Sequence, residues 1–166
     1  MCEDKDKKTS GHIYVFDEEG ERKLFQNIEF GGHGNSSFVK NDKKSWNIEF
    51  DYEVSLFDLA KGKEYVALAN AQDVSYMRNK IVFDMAEKVG FFYTPQGEYA
   101  NLYINGEYMG LYLVTEKIEV SEERVALAVE DLSGMYSDEN LIRYNTYQEK
   151  GFIFPDNAEI CETPSF

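Results

Sequence analysis

The sequence has little of what marks several protein classes. It holds two cysteines, three prolines and one tryptophan in 166 residues. Cys2 and Cys161 lie near opposite ends, so either one bridge closes the chain or, as the simpler expectation, both are free thiols. No CxxC or Cys–His spacing predicts a zinc site. The charged segment 1–8 lacks the apolar core of a signal peptide, and no apolar run reaches transmembrane length.

Positive charge is also scarce. The chain has 17 Lys and Arg against 31 Asp and Glu, a net charge of −14. General nucleic-acid binding and adsorption to anionic membranes both need clustered basic residues, so this balance argues against both. A solvated acidic surface explains the charge, and a divalent-metal site is the alternative that charge alone leaves open. His12 and His33 are the only histidines and form no catalytic triad or metal pair by spacing.

Aromatic residues are abundant, with twelve Tyr and twelve Phe, which favours strands. The strands that alternation and turn residues predict are Ile13–Phe16, Leu24–Phe30, Trp46–Phe50 and Glu64–Asn70. A further hairpin is predicted from the alternating segment 99–104, the turn Asn105-Gly106 and a return strand through Leu113. These segments predict a mainly antiparallel sheet.

One amphipathic helix is predicted between Asp73, a good N-cap, and Gly90, a good residue just past a helix end. Its apolar stripe consists of Val74, Met77, Ile81, Met85 and Val89. Arg78 lies at the margin of this stripe, where we expect it to be half-buried with an anionic partner. The fold class is therefore α+β, with antiparallel hairpins and one main helix. Residues 1–10 are expected to be a disordered terminus and 11–166 a single domain, without clear periodicity over 133–166.

Three segments place glycine or charge where packing alone does not require it. Gly31–Ser37 reads as a glycine-rich loop whose backbone amides can converge on an anion, or simply as a hairpin turn. It is not a Walker A loop, since no Gly-Lys-Ser/Thr closes it and no helix is predicted to follow. Lys43-Lys44 offer phosphate ligands or are a solvated pair. Glu116 ends a strand and would pair with Arg78 or Lys44, hold a metal, or form an exposed ion pair with Lys117.

Four segments, taken in their order along the chain, resemble the spore-coat protein H (CotH) kinase family. That family shares an Arg-Gly-Arg-Gly-Asn-Ser-Thr-Trp loop, a Lys-Lys-x-Tyr strand, a Leu-Arg-Asn helix and an Asn-Gly-x-Tyr-x-Gly-x-Tyr…Glu-Lys hairpin. The corresponding segments here are Gly31–Phe38, Lys43–Trp46, Met77–Asn79, and Asn105–Tyr112 followed by Glu116-Lys117. The resemblance extends from about residue 13 to about residue 125.

The resemblance implies an atypical kinase-like fold that binds ATP with Mg²⁺ and phosphorylates Ser or Thr of proteins in bacterial spore coats, at cell surfaces or among secreted proteins. It assigns nucleotide binding to Gly32, Gly34, Asn35, Ser36 and Lys44, with Arg78, Asn79 and Glu116 in support. It assigns no metal ligand within the chain. It also implies protein substrates or coat and surface partners, and no nucleic-acid partner.

Two departures from the family pattern matter. Gly31 and His33 stand where the family loop has arginines, which removes positive charge. The family's catalytic and metal-binding aspartates follow a later strand, so the resemblance places them beyond Phe166 and predicts an N-terminal portion that is inactive alone. The alternative is a non-catalytic binding or assembly module of a coat or surface complex. In a partial domain we expect an uncovered apolar face on the 73–90 helix and the 105–114 hairpin.

Overall fold

Six antiparallel strands form the framework of the protein. The computed structural model describes residues 5, 7–17, 19–119, 121 and 123–125, all within the unit Met1–Ala126. The elements in chain order are β1 Thr9–Phe16, β2 Arg22–His33, α1 Ser36–Lys40, β3 Ser45–Val54, β4 Gly62–Leu68, α2 Arg78–Lys88, β5 Gly97–Ile104 and β6 Glu107–Glu116. The strand order is β1-β2-β3-β4-β6-β5, and every neighbouring pair is antiparallel.

The hydrophobic core lies on one face of this sheet, which curls into a half-barrel. The alternation predicted for β3 is confirmed, because Trp46, Ile48 and Phe50 are all buried. From the neighbouring strands, Tyr65 and Tyr112 add fully buried rings. Period-two patterning therefore specified which face of β3 is buried. The α+β class with mainly antiparallel sheet is confirmed.

The β5–β6 hairpin is also confirmed. Asn105 and Gly106 both have positive φ, 51° and 84°, as a type I′ turn requires. The register shifts between Leu102 and Tyr103, so β6 carries one extra residue near its start. This bulge strengthens the local twist of the hairpin.

The predicted glycine-rich loop is only partly a loop. Gly31, Gly32 and His33 are the last residues of β2 and pair with β3, and the short helix α1 follows where no helix was predicted. A Cβ on Gly32 would lie 2.6 Å from Cε2 of Phe38. Phe38 is 4% exposed, so glycine at position 32 lets α1 pack its one buried ring against the strand. Sequence periodicity cannot show such a contact because five residues are too short a helix to read.

The predicted start of the long helix was wrong by about one turn. Tyr76 has φ of 60°, which breaks helical geometry, so residues 73–77 form turns and α2 begins at Arg78. Asp73 still accepts the backbone N–H of Arg78 at 2.9 Å and thereby satisfies one free amide of the helix. The predicted end is confirmed, because Gly90 has φ of 77° and donates its N–H to the Glu87 carbonyl at 3.0 Å.

The apolar stripe of α2 is uncovered in the part of the chain that the structure describes. None of the α2 residues is buried, and the five stripe residues are between 45% and 97% exposed. This agrees with the predicted uncovered face. The side chain of Arg78 is 78% exposed, so the expectation that it is half-buried was wrong.

Several predictions fall wholly or partly outside the described residues. These include the cysteine pairing and the single domain over 11–166, which both stay predictions. β1 begins at Thr9, inside the segment expected to be disordered. No helix of the described residues is long and apolar enough to cross a membrane.

Candidate functional site

Most of the predicted site residues meet at one end of the sheet. β2 ends here at His33, opposite Ser45 at the start of β3. β4 ends here at Leu68, opposite Leu113 of β6. Lys43 and Lys44 immediately precede β3, so the antiparallel order brings both lysines beside the β2–α1 corner and the middle of β6. We call this region the lysine end of the sheet.

The β2–α1 corner turns at Gly34, whose φ is 91°. A Cβ at this position would lie 2.3 Å from the Ser37 Oγ, so glycine is required for the chain to enter α1. Asn35 and Ser36 follow, both exposed. Asn35 makes no side-chain cap to α1, and its Oδ1 accepts a hydrogen bond from Lys5 Nζ at 2.5 Å. These side chains are thus open to a ligand at the corner.

Lys44 links this corner to β3. Its Nζ donates to the Phe38 carbonyl at 2.5 Å and lies 5.1 Å from the centre of the Phe38 ring. The last carbonyls of a helix lack intrahelical partners, so an ammonium group there stabilises α1. Lys44 therefore contributes to the local structure of the predicted site, with part of its charge still open to solvent.

Lys43 has the more unusual surroundings of the two lysines. Its Nζ donates to the Leu111 carbonyl and lies 4.7 Å and 4.4 Å from the ring centres of Tyr76 and Tyr112. Desolvation by these groups lowers the pKa of Lys43. Gly110 lies next to this side chain, where a Cβ would be in ordinary contact with the Lys43 Cε at 3.4 Å, and it is the φ of 105° that favours glycine there. The sequence offered both lysines as phosphate ligands and the family resemblance selected Lys44, but neither predicted the ring contacts of Lys43.

The start of α2 adjoins this region through a chain of amide groups. Asn79 Nδ2 donates to Asn70 Oδ1 at 2.8 Å, and Asn70 Nδ2 donates to the Tyr76 carbonyl at 3.1 Å. The Arg78 guanidinium lies 3.5 Å from Asp73 Oδ1, which confirms its expected anionic partner. Of the supporting residues, Asn79 is therefore tied to the lysine end through Tyr76, while Arg78 is held locally.

Glu116 lies away from the lysine end. It is three residues beyond Leu113 on β6, about 10 Å along the strand, and is 4% exposed. It accepts hydrogen bonds from the Ala60 N–H and the Tyr93 hydroxyl, each at 2.8 Å. Burial together with this contact raises the pKa of Tyr93. Pairing of Glu116 with Arg78 or Lys44 was therefore a wrong expectation, and so was an exposed ion pair.

A buried arginine completes that second polar cluster. The Arg124 side chain is 0% exposed and lies 3.0 Å from Glu119 Oε2. Its guanidinium also donates to the carbonyls of Glu64, Lys117 and Ala60, at 2.7, 2.9 and 3.3 Å. A buried charge with this many acceptors fixes the segments that supply them. Arg124 was not predicted from the sequence, because most of its partners are backbone carbonyls, which no residue pattern identifies.

Some of the described cations are paired with a carboxylate, and the two lysines are among those that are not. Carboxylates pair with the following cations: Lys8, Lys61, Arg78, Lys80, Lys117 and Arg124. Lys43 and Lys44 have no carboxylate within ion-pair distance among the residues the structure describes, and their polar partners are backbone carbonyls. Two neighbouring ammonium groups without a counter-charge favour an anion at this end of the sheet.

The described residues offer no comparable candidate for a metal site. Within the described residues, no group of three or more His, Cys, Asp or Glu side chains is placed to hold a metal ion. The expectation of Mg²⁺ therefore depends on the family resemblance alone, as does that of ATP.

A comparison with known families matches most of the chain. The family model described as CotH kinase protein covers residues 30–161 of the 166, which include the β2–α1 corner, both lysines, α2 and the β5–β6 hairpin. No curated protein matches the chain.

Proposed function

Because the chain belongs to the CotH kinase protein family, we propose that the lysine end of its sheet binds the polyphosphate of ATP, as part of a protein kinase that modifies Ser or Thr of coat or cell-surface proteins. The observation that carries this proposal is the adjacent pair Lys43 and Lys44. Their ammonium groups contact backbone carbonyls and aromatic rings and have no carboxylate within ion-pair distance in the described part of an otherwise acidic chain. Family membership indicates the type of reaction, and the position of these two lysines indicates where on the sheet the phosphate would bind.

Electrostatics explains why a phosphate group fits this place. A protein with a net charge of −14 repels anions over most of its surface, so a local positive site must be built from groups that are not neutralised. The rings and carbonyl around Lys43 remove water from its ammonium, which strengthens its attraction to an incoming anion. Lysine acts on phosphate as a point charge, so its position matters more than its orientation.

The remaining predicted residues divide between binding and support. At the β2–α1 corner, Gly34 brings backbone and the exposed side chains of Asn35 and Ser36 together, where they can donate hydrogen bonds to phosphate oxygens. Gly32 serves the packing of Phe38, so we assign it to support. A bound nucleotide with Mg²⁺ would supply the transferable phosphoryl group, and these residues would bind and orient it.

A non-catalytic assembly module is the second candidate. The observation that favours it is the apolar stripe of α2 and its flanking residues, which the described part of the chain leaves uncovered, since exposed patches of this kind mark interaction surfaces. The replacement of two family arginines by Gly31 and His33 also reduces the charge available for phosphate. In this alternative the domain keeps the fold and contributes to a coat or surface complex without transferring phosphate.

Thermal unfolding with and without millimolar Mg-ATP tests the proposed binding. A ligand that binds only the native state adds about 2.7 kcal/mol at one hundred times its dissociation constant. We expect a rise in melting temperature that Lys43→Ala and Lys44→Ala each reduce, while Lys23→Ala, a matched exposed lysine on β2, leaves it unchanged. No shift in the wild type, or an equal shift in all variants, would contradict the proposal. Transfer of the labelled γ-phosphate to protein serine or threonine, measured in a protein that carries this chain together with the family's aspartates, then separates the kinase from the assembly module.

A further inference from the structure

Tyr76 has a backbone conformation that large residues rarely adopt. Its φ is 60°, in the left-handed region that glycine and asparagine tolerate best. Such strain persists only where the surrounding structure imposes it, and it is concentrated at functional sites. The residue lies in the turn that leads directly into α2, one position before Met77.

Contacts hold both ends of Tyr76. Its carbonyl accepts hydrogen bonds from the Tyr99 hydroxyl at 2.7 Å and from Asn70 Nδ2 at 3.1 Å. Its ring centre lies 4.7 Å from the Lys43 ammonium. Hydrogen bonds from β5 and from the end of β4 therefore fix the backbone of Tyr76, and this backbone places the ring on the Lys43 ammonium.

The ammonium is enclosed by three groups, none of which is charged. The Tyr112 ring lies on it at 4.4 Å, the Leu111 carbonyl accepts one of its protons, and the Tyr76 ring is the third. Tyr112 itself is fully buried and lies on β6, so Tyr76 is the one ring of the pair that belongs to a turn. Aromatic faces stabilise a cation without cancelling its charge, which leaves the charge available to an anion.

We propose that Tyr76 is a positioning residue of the anion site: its ring holds the Lys43 ammonium in place, and its left-handed backbone joins that position to the start of α2. The inference rests on the proposed function, because it concerns the same polyphosphate. An anion that binds the Lys43 ammonium then favours the conformation in which the turn 70–77 contacts this lysine. Binding at the lysine end and the placement of Asn79 are coupled through this one residue.

Substitutions at position 76 separate the ring from the backbone. Tyr76→Leu removes the ring, and Tyr76→Asn removes it while suiting the left-handed backbone, so this variant is expected to remain folded. Titration calorimetry with Mg-ATP and with inorganic tripolyphosphate should give affinities about five-fold or more weaker for both variants, from the loss of a cation–π contact. Tyr76→Phe restores the ring and should recover the affinity. Tyr103→Leu, an exposed tyrosine of the hairpin, is the matched control and should bind as the wild type does.

A second readout follows Lys43 itself. Carbon NMR of its side chain, assigned with Lys43→Arg, should show its pKa rising towards the ordinary lysine value when the ring is removed, because water regains access. If the wild type binds neither probe, the proposed function fails, and this titration still decides whether Tyr76 holds Lys43. If the wild type binds and the Leu and Asn variants bind equally well, the positioning role is overturned.

Discussion

Alanine at position 62 should displace the buried guanidinium of Arg124. Gly62 begins β4, and a Cβ added to it would lie 2.1 Å from Arg124 Cζ and 2.5 Å from its Nε. Atoms cannot approach this closely, and the side chain has no free space because it is 0% exposed. A single methyl group therefore expels a charged group from the protein interior.

The expected cost follows from what the guanidinium loses. It donates to three backbone carbonyls and to Glu119, and its Cζ lies 4.6 Å from the Tyr65 ring centre. Breaking one side of a buried ionic contact costs about 3–5 kcal/mol, because the partners are left unsatisfied. We expect Gly62→Ala to lower the free energy of unfolding by about this amount, a large part of the 5–15 kcal/mol that a domain has.

Urea unfolding followed by the fluorescence of Trp46, the single tryptophan, measures this loss. Gly11→Ala is the matched control, since a Cβ there would have no atom within 4 Å, and its effect should stay within about 0.5 kcal/mol. In an Arg124→Met background, Gly62→Ala should cost much less than in the wild type. A cost below about 1 kcal/mol in the wild type, or the same cost in both backgrounds, would refute the reasoning.

Three further predictions concern the lysine end and the opposite face of the sheet. Gly110→Ala should lower stability by about 1–2 kcal/mol, because a residue with a Cβ rarely adopts the φ of 105° found there; an unchanged urea midpoint would contradict it. Burial lowers the pKa of His33 below the ordinary 6.5, so the unfolded state takes up the proton first and stability should fall as the pH drops below about 6.5. His33→Gln should flatten that part of the urea-midpoint profile, and an identical slope would count against burial of this ring. Lys8 bridges the facing side chains of Glu29 and Glu49, so Lys8→Ala should cost no more than about 1 kcal/mol, and less still in molar salt; a salt-independent loss would mean that packing, rather than charge, accounts for it.

Local patterns were sufficient for several elements of the fold. The alternation of Trp46, Ile48 and Phe50 fixed the buried face of β3, since a strand has only two faces. Asn105-Gly106 fixed the hairpin turn, and Gly90 fixed the end of α2, because both depend on backbone conformations that few residues tolerate. Each of these features is decided by residues that are close together in the sequence.

The site depended on contacts between distant parts of the chain. The order of the motifs in the sequence correctly predicted that Gly34, Asn35 and Lys44 lie at one end of the sheet, because they lie between or beside consecutive antiparallel strands. It placed Glu116 there wrongly, because a motif does not reveal how far along its strand a residue lies. The start of α2 was also misplaced, since the left-handed conformation of Tyr76 follows from hydrogen bonds to β5 and to the end of β4.

The sequence by itself determined the family, the antiparallel sheet and the pair of lysines beside the glycine corner. Only the tertiary structure decided which of the two lysines is desolvated. Lys43 and Lys44 are chemically identical neighbours, and the difference comes from Tyr76, Tyr112 and the carbonyl of Leu111. Those three residues reach the ammonium only after α2 and the β5–β6 hairpin are in place, so the electrostatics of Lys43 are a property of the folded protein and not of its local sequence.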